Sequence, residues 1–183
     1  MGKIDVLLGP MFSGKTTSLI KRVQELEDEG KTVKIFKPRV DNRYGEEVIC
    51  SHDKISRKAY NIQDISEAEV EKVDVVVIDE YFFFKDNLLD YCKIWKDKGK
   101  HVIVAGLDLD HKGEPMPFID SEKTSQDLID MADEVTYLKS KCEICGKEAT
   151  MTERTVESNT ERLVGGTEYY RPVCKEHHPK WKK

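Results

Sequence analysis

The chain has 183 residues, a net charge of −5 and 36% charged residues, a length that fits one domain of ordinary size, alone or with a small appendage. The acidic balance argues against a general nucleic-acid binder, whose domain is usually basic, and no apolar run reaches the roughly 18 residues that a membrane-spanning helix needs. Strand-like sequence begins at once, so no signal peptide is expected, and an odd count of five cysteines suits a reducing cytoplasm better than a disulfide framework.

In chain order, Ile4, Val6, Leu7 and Leu8 form a short apolar run suited to a buried strand. Gly9, Pro10, Met11, Phe12, Ser13, Gly14, Lys15 and Thr16 follow and fit the G-x-x-x-x-G-K-[ST] phosphate-binding pattern. Leu19, Ile20, Val23 and Leu26 then fall at helical spacing, with Gly30 as a stop. Strand, glycine loop and helix is the setting that the motif requires, because backbone N–H groups at a helix N-terminus face an anion. Lys15 adds a point charge at the β/γ-phosphates of a nucleotide such as ATP, and the Thr16 hydroxyl is placed to hold Mg²⁺.

Thr32-Val-Lys-Ile-Phe-Lys37 alternates as a second strand closed by Pro38, and Asp41-Asn-Arg-Tyr-Gly45 reads as a polar loop, either plain surface or ligand-facing. Short strands are predicted at 47–52 and 59–62, and a short helix from Ser66 to Lys72. Val73-Asp-Val-Val-Val-Ile78 is a β-branched run of the kind buried on both faces of a parallel sheet. It ends in Asp79-Glu80, where open α/β sheets bind ligands, and the phosphate loop is expected as its neighbour across the sheet. Asp79 is therefore a candidate for reaching Mg²⁺, while Glu80 can point at a nucleophile.

Among Phe82, Phe83 and Phe84 at least one is expected on a pocket or interface, since three consecutive rings cannot share one core face. Leu88, Leu89, Cys92, Ile94 and Trp95 read as a helix, with Cys92 a small buried apolar residue. His101-Val-Ile-Val-Ala-Gly106 is another buried strand, and the polar stretch from Leu107 to Pro115 is expected to cover the active-site edge. A helix from Thr124 to Met131 and a last strand at Val135–Leu138 complete this part.

The character of the chain then changes. Cys142-Glu-Ile-Cys145 and Cys174-Lys-Glu-His177 are ligand pairs separated by 28 residues. Tetrahedral Zn²⁺ accepts a Cys₃His set, and with all four ligands from the protein the site is expected to be structural and closed. The two-residue spacing favours His177 over His178 as the fourth ligand.

Together these motifs make the chain resemble thymidine kinases of the cytoplasmic, zinc-containing type. The resemblance rests on the phosphate loop, Lys37-Pro-x-x-Asp-x-Arg-Tyr44, Ser51-His52, Ile78-Asp-Glu80, Gly106-Leu-Asp108 with Gly113-Glu-Pro115, both Cys/His pairs and Val164-Gly-Gly-x-x-x-Tyr170, in order from residue 4 to 177. It implies an α/β fold: a RecA-like P-loop core with a mostly parallel sheet (residues 1–138) and a small C-terminal zinc-ribbon subdomain with a lasso loop (residues 139–183). It implies transfer of the ATP γ-phosphate to the 5′-hydroxyl of thymidine, with Mg²⁺ and a structural Zn²⁺, in a homotetramer inhibited by dTTP. No nucleic-acid or membrane partner is expected. By position, Glu80 matches the general base, and Met11, Phe83, Leu107 and Thr152 match pocket residues. Val164, Gly166 and Tyr170 match the lasso, and Asp41 and Arg43 match a loop near the transferred phosphate.

Several positions depart from the family pattern. Asp79-Glu80 is usually followed by a small residue, Gln and Phe, whereas here it is followed by Tyr81, Phe82 and Phe83. His111 stands where a Phe is usual beside the base, Lys112 where Arg is common, and Met116 replaces another Phe. These changes keep open a related deoxynucleoside kinase with altered base choice. A RecA-like ATPase whose zinc ribbon grips DNA or a protein is the alternative from another class.

Overall fold

The computed structural model describes residues 1–39, 47–51, 53–160 and 162–181. Among the described residues, eight strands build the chain up to residue 138: β1 (Lys3–Leu8), β2 (Val33–Pro38), β3 (Val48–Cys50), β4 (Ser56–Lys58), β5 (Tyr60–Ile62), β6 (Val75–Ile78), β7 (His101–Gly106) and β8 (Glu134–Tyr137). Six of them form one parallel sheet in the order β5-β2-β6-β7-β1-β8, with β3 and β4 as a separate antiparallel hairpin. In this register Val6 lies opposite Val104 on β7 and Val135 on β8, and Val76 lies opposite Lys34 on β2 and Val102 on β7. All four residues of β6 are buried, as expected of a strand covered on both faces.

The covering layers follow from helical periodicity. Helix α1 (Lys15–Asp28) sets Leu19, Ile20, Val23 and Leu26 against Ile35, Val75, Val77 and Ile103 on one face. On the other face, α2 (Asn87–Asp97) and α3 (Ser125–Met131) bring Leu88, Leu89, Cys92, Trp95 and Leu128 onto Ile4, Val6, Val76, Val102 and Val104. Thr124 and Asp127 form a reciprocal capping box that starts α3. Burial lifts the Cys92 thiol to about 12, so it behaves as an inert apolar group.

Two expectations need correction. The predicted helix at 66–72 is only a 3₁₀ turn over Ile65–Glu67, started by an Asp64 capping box. Ala68 then turns extended (φ −71°, ψ 108°), and Val70 and Val73 are drawn into the sheet core, so burial outweighs local helix propensity. The phosphate loop is also not on the strand next to Asp79: β7 lies between β1 and β6. Both strands still end on the same edge because every pairing in the sheet is parallel.

Beyond the sheet, β9 (Ser140–Lys141) pairs antiparallel with β10 (Glu148–Ala149), and β11 (Met151–Arg154) with β12 (Tyr170–Val173). Cys142, Ala149, Met151, Val173 and Cys174 form a small core of their own. Two hydrogen bonds tie this part to the phosphate loop: Met11 N–H donates to Thr152 Oγ1 (3.0 Å), and Ser140 Oγ donates to the Phe12 carbonyl (2.9 Å). Among the described residues, no helix is long and apolar enough to cross a membrane.

Candidate active site and metal centre

The loop between β1 and α1 owes its shape to two glycines. Gly14 adopts φ +79°, a left-handed conformation that side chains disfavour, and a Cβ on Gly9 would lie 2.7 Å from Ser13 Oγ and 2.9 Å from the Leu138 carbonyl. Helix α1 starts with no side-chain cap and no acidic residue in its own first turn. Lys15 is buried, and its Nζ donates to the Gly9 (3.0 Å) and Pro10 (2.6 Å) carbonyls, which hold the ammonium against the loop.

At the end of β6 the chain makes a strained turn. Glu80 sits at φ 52°, ψ 48°, sparsely populated for a non-glycine residue. Asp79, 5% exposed, accepts the Glu80 N–H through Oδ1 (3.0 Å), and Phe83 N–H donates to the Glu80 carbonyl (3.1 Å). The Tyr81 ring is fully buried against Gly106, where an added Cβ would lie 2.5 Å from a ring carbon. Its hydroxyl donates to the Leu107 carbonyl, and burial raises its ionisation far above the ordinary tyrosine range. Tyr81 is therefore a packing residue, while Phe82 and Phe83, with ring centroids 4.7 Å apart, reach a cavity and Phe84 is core.

That cavity is about 390 Å³. Met11, Phe12, Ser13, Gly14, Lys15 and Thr16 form its floor, Glu80, Phe82 and Phe83 one wall, and Leu107, His111, Met116 and Pro117 another. Thr152, Arg154 and Tyr170 close the C-terminal side, with Arg162, Leu163, Val164 and Gly165 as a roof. Most sequence-predicted site residues thus meet in one place. Gly9 and Pro10 face Lys15 through their carbonyls, and Asp79 lies beneath Glu80 rather than on the wall. Gly165, not Gly166, reaches the cavity; the Gly166 carbonyl instead accepts the Tyr169 and Tyr170 N–H groups (3.0 Å each). Asp41, Arg43 and His52 lie outside the described residues.

Arg154, Arg162 and Pro117 line the cavity without having been singled out from sequence, and Cys50, expected like Cys92 to be a buried small apolar residue, is only partly buried and lines it too. The two arginines sit in a stretch rich in charge of both signs, so nothing in composition marks them. Arg154 donates to the Thr160 carbonyl (2.8 Å) and Tyr170 Oη (3.2 Å), and Tyr170 Oη donates to the Leu163 carbonyl (2.6 Å). Burial holds the His111 imidazole below its ordinary value, reinforced by Arg154, and raises the Asp108 carboxyl.

The ligand atoms of Cys142, Cys145, Cys174 and His177 all lie within 4.8 Å of one another. Cys145 and Cys174 sulfurs are 3.7 Å apart, and His177 Nδ1 is 3.7 Å from Cys142 and 3.2 Å from Cys174. Tetrahedral Zn–S bonds of roughly 2.3 Å give sulfur–sulfur edges of about 3.8 Å, so spacing and donor set both fit Zn²⁺. Burial works against a Cys142 thiolate, but hydrogen bonds from the Cys174, Cys145 and Ile144 backbone outweigh it and bring the thiol down to about 6. His178 is not in the cluster. It is 1% exposed, its Nδ1 accepts the Lys180 N–H (3.2 Å), and its Nε2 therefore donates to the His111 carbonyl (2.9 Å).

A family model described as thymidine kinase matches residues 2–178. A thymidine kinase of Bacteroides thetaiotaomicron is 40% identical over 180 residues, covering 96% of this chain and 86% of that relative. One of Thermococcus kodakarensis is 35% identical over 192 residues, covering 97% and 94%. Thymidine kinase a of Arabidopsis thaliana is 36% identical over 184 residues, covering 97% and 75%.

Proposed function

We propose, since this chain belongs to the thymidine kinase family, that it transfers the γ-phosphate of ATP to the 5′-hydroxyl of thymidine, giving dTMP and ADP. The observation that carries this reading is the meeting of the phosphate loop, Glu80 and an aromatic wall on one roofed cavity. Phosphoryl transfer asks mainly for positioning and charge neutralisation. The glycine loop and the α1 N-terminus cradle the ATP phosphates, and Lys15 exchanges its carbonyl partners for β/γ-phosphate oxygens. Thr16 and Asp79 are the residues that would hold Mg²⁺, which when bound supplies positive charge at those oxygens. Glu80, aimed by its left-handed backbone, orients the 5′-hydroxyl and accepts its proton late in transfer.

The base lies between Phe83, Leu107 and Met11 under the roof residues, whose backbone N–H and C=O groups pair with its edge. Cys142, Cys145, Cys174 and His177 would hold a structural Zn²⁺, whose four bonds would tie the two Cys/His pairs together. Homotetramer assembly and inhibition by dTTP are part of the proposal, motivated by the family. One observation favours a variant of it: Phe82 and His111 both reach the cavity wall, so a hydrogen-bonding side chain is missing there and an imidazole is added. A coupled assay of ADP release over thymidine, deoxyuridine and deoxycytidine decides. Turnover with thymidine in excess over the others supports the proposal, preference for another deoxynucleoside moves the base assignment to Phe82 and His111, and no nucleoside dependence refutes it.

A further inference from the structure

The roof of the cavity is formed by Arg162, Leu163, Val164 and Gly165, in the segment between β11 and β12. Its foot is closed by Thr155 N–H donating to the Tyr169 carbonyl (2.8 Å) and by the Arg154–Tyr170–Leu163 chain of hydrogen bonds. Those contacts all lie on the C-terminal side. Across the cavity, Arg162 attaches the same segment to the core. Its Nε donates to the Phe82 carbonyl (3.0 Å), and a terminal nitrogen donates to the Pro117 carbonyl (2.7 Å).

These two acceptors are well chosen. Phe82 belongs to the turn that begins at Glu80, and Pro117 follows the Met116 wall, so one guanidinium joins the roof to two connections that leave different strands. A guanidinium is planar with its donors in a fixed fork, so two simultaneous bonds fix its plane as well as its distance. Lysine, a compact point charge on a flexible stem, has three rotatable donors but no planar fork, so it can reach a carbonyl without fixing a plane. We propose that Arg162 is a positioning residue that latches the roof over the nucleoside and holds the Phe82 turn in the geometry that aims Glu80. The latch acts on the substrate of the proposed kinase reaction and so rests on that reading.

The test compares wild type with R162A and R162K in steady-state kinetics, varying thymidine and ATP separately. Loss of one or two charge-assisted hydrogen bonds at the roof is expected to raise the thymidine KM roughly 10- to 100-fold in R162A. R162K falls between the two, and the ATP KM stays within about twofold because the Phe82 and Pro117 carbonyls that Arg162 holds lie outside the phosphate loop. Amide exchange of residues 162–166 in the protein without nucleoside gives a readout independent of activity, expected to quicken about tenfold or more in R162A at unchanged zinc content and Tm. An unchanged thymidine KM, or equal rises in both KM values, overturns the latch. If wild type proves inactive on thymidine the kinase reading fails, and the exchange of 162–166 alone then decides: unaltered exchange in R162A overturns the latch as well.

Discussion

Tyr81 stands where the family usually carries a small residue, and the structure gives it a job that can be measured. Replacing it with Phe keeps the ring against Gly106 and removes only the hydroxyl that donates to the Leu107 carbonyl. Tyr81 is fully buried, while Leu107 is partly buried beside the cavity, and no other hydrogen bond to its carbonyl is seen among the described residues. Losing this one hydrogen bond costs about 0.5–1.5 kcal/mol. In a protein of this size that corresponds to a fall in Tm of about 1–6 °C. Urea denaturation should show a lower midpoint with an unchanged slope, because the surface exposed on unfolding is the same. Since Leu107 lines the cavity, a modest rise in the nucleoside KM should accompany the loss of stability. A Tm equal to that of wild type would refute the argument that this hydroxyl braces the end of β7.

The remaining predictions concern the metal and the electrostatics of the site. Cys145→Ser should abolish stoichiometric zinc by metal analysis and make residues 139–183 open to proteolysis; retained zinc would place the ion elsewhere. Burial raises the Asp108 carboxyl, so the stability it contributes is full below its unfolded value and lost as pH rises through the folded value. Asp108→Asn should accordingly raise Tm at pH 7, with the gain shrinking toward pH 4, and a gain that grows on acidification would reverse the sign of the argument. Gly106→Ala forces a Cβ into the Tyr81 ring and should destabilise by about 1–3 kcal/mol, read by urea midpoint.

Legibility in the sequence followed the range of the interactions. The phosphate loop, the buried strands at 3–8, 75–78 and 101–106, and the two Cys/His pairs are written in local spacing, and they lie where that spacing indicated. What stayed hidden depends on distant partners. The strand inserted between β1 and β6, the pull of Val70 and Val73 that ends the turn after Asp64, and the packing of Tyr81 on Gly106 are all tertiary effects. Arg162 was equally hidden, because its acceptors are backbone carbonyls 80 and 45 residues away and carbonyls leave no mark in a sequence. His177 and His178 show the converse: two-residue spacing pointed to the histidine that joins the cysteine cluster, and only the fold revealed that His178 braces the His111 loop.

The most direct test of the central claim is identification of the product formed from thymidine and Mg-ATP by wild type and by Glu80→Gln. The account predicts dTMP and ADP in equal amounts from wild type, and a kcat lowered roughly 10²- to 10⁴-fold in the variant with the ATP KM retained. No dTMP from wild type, or full turnover without the Glu80 carboxylate, would contradict it.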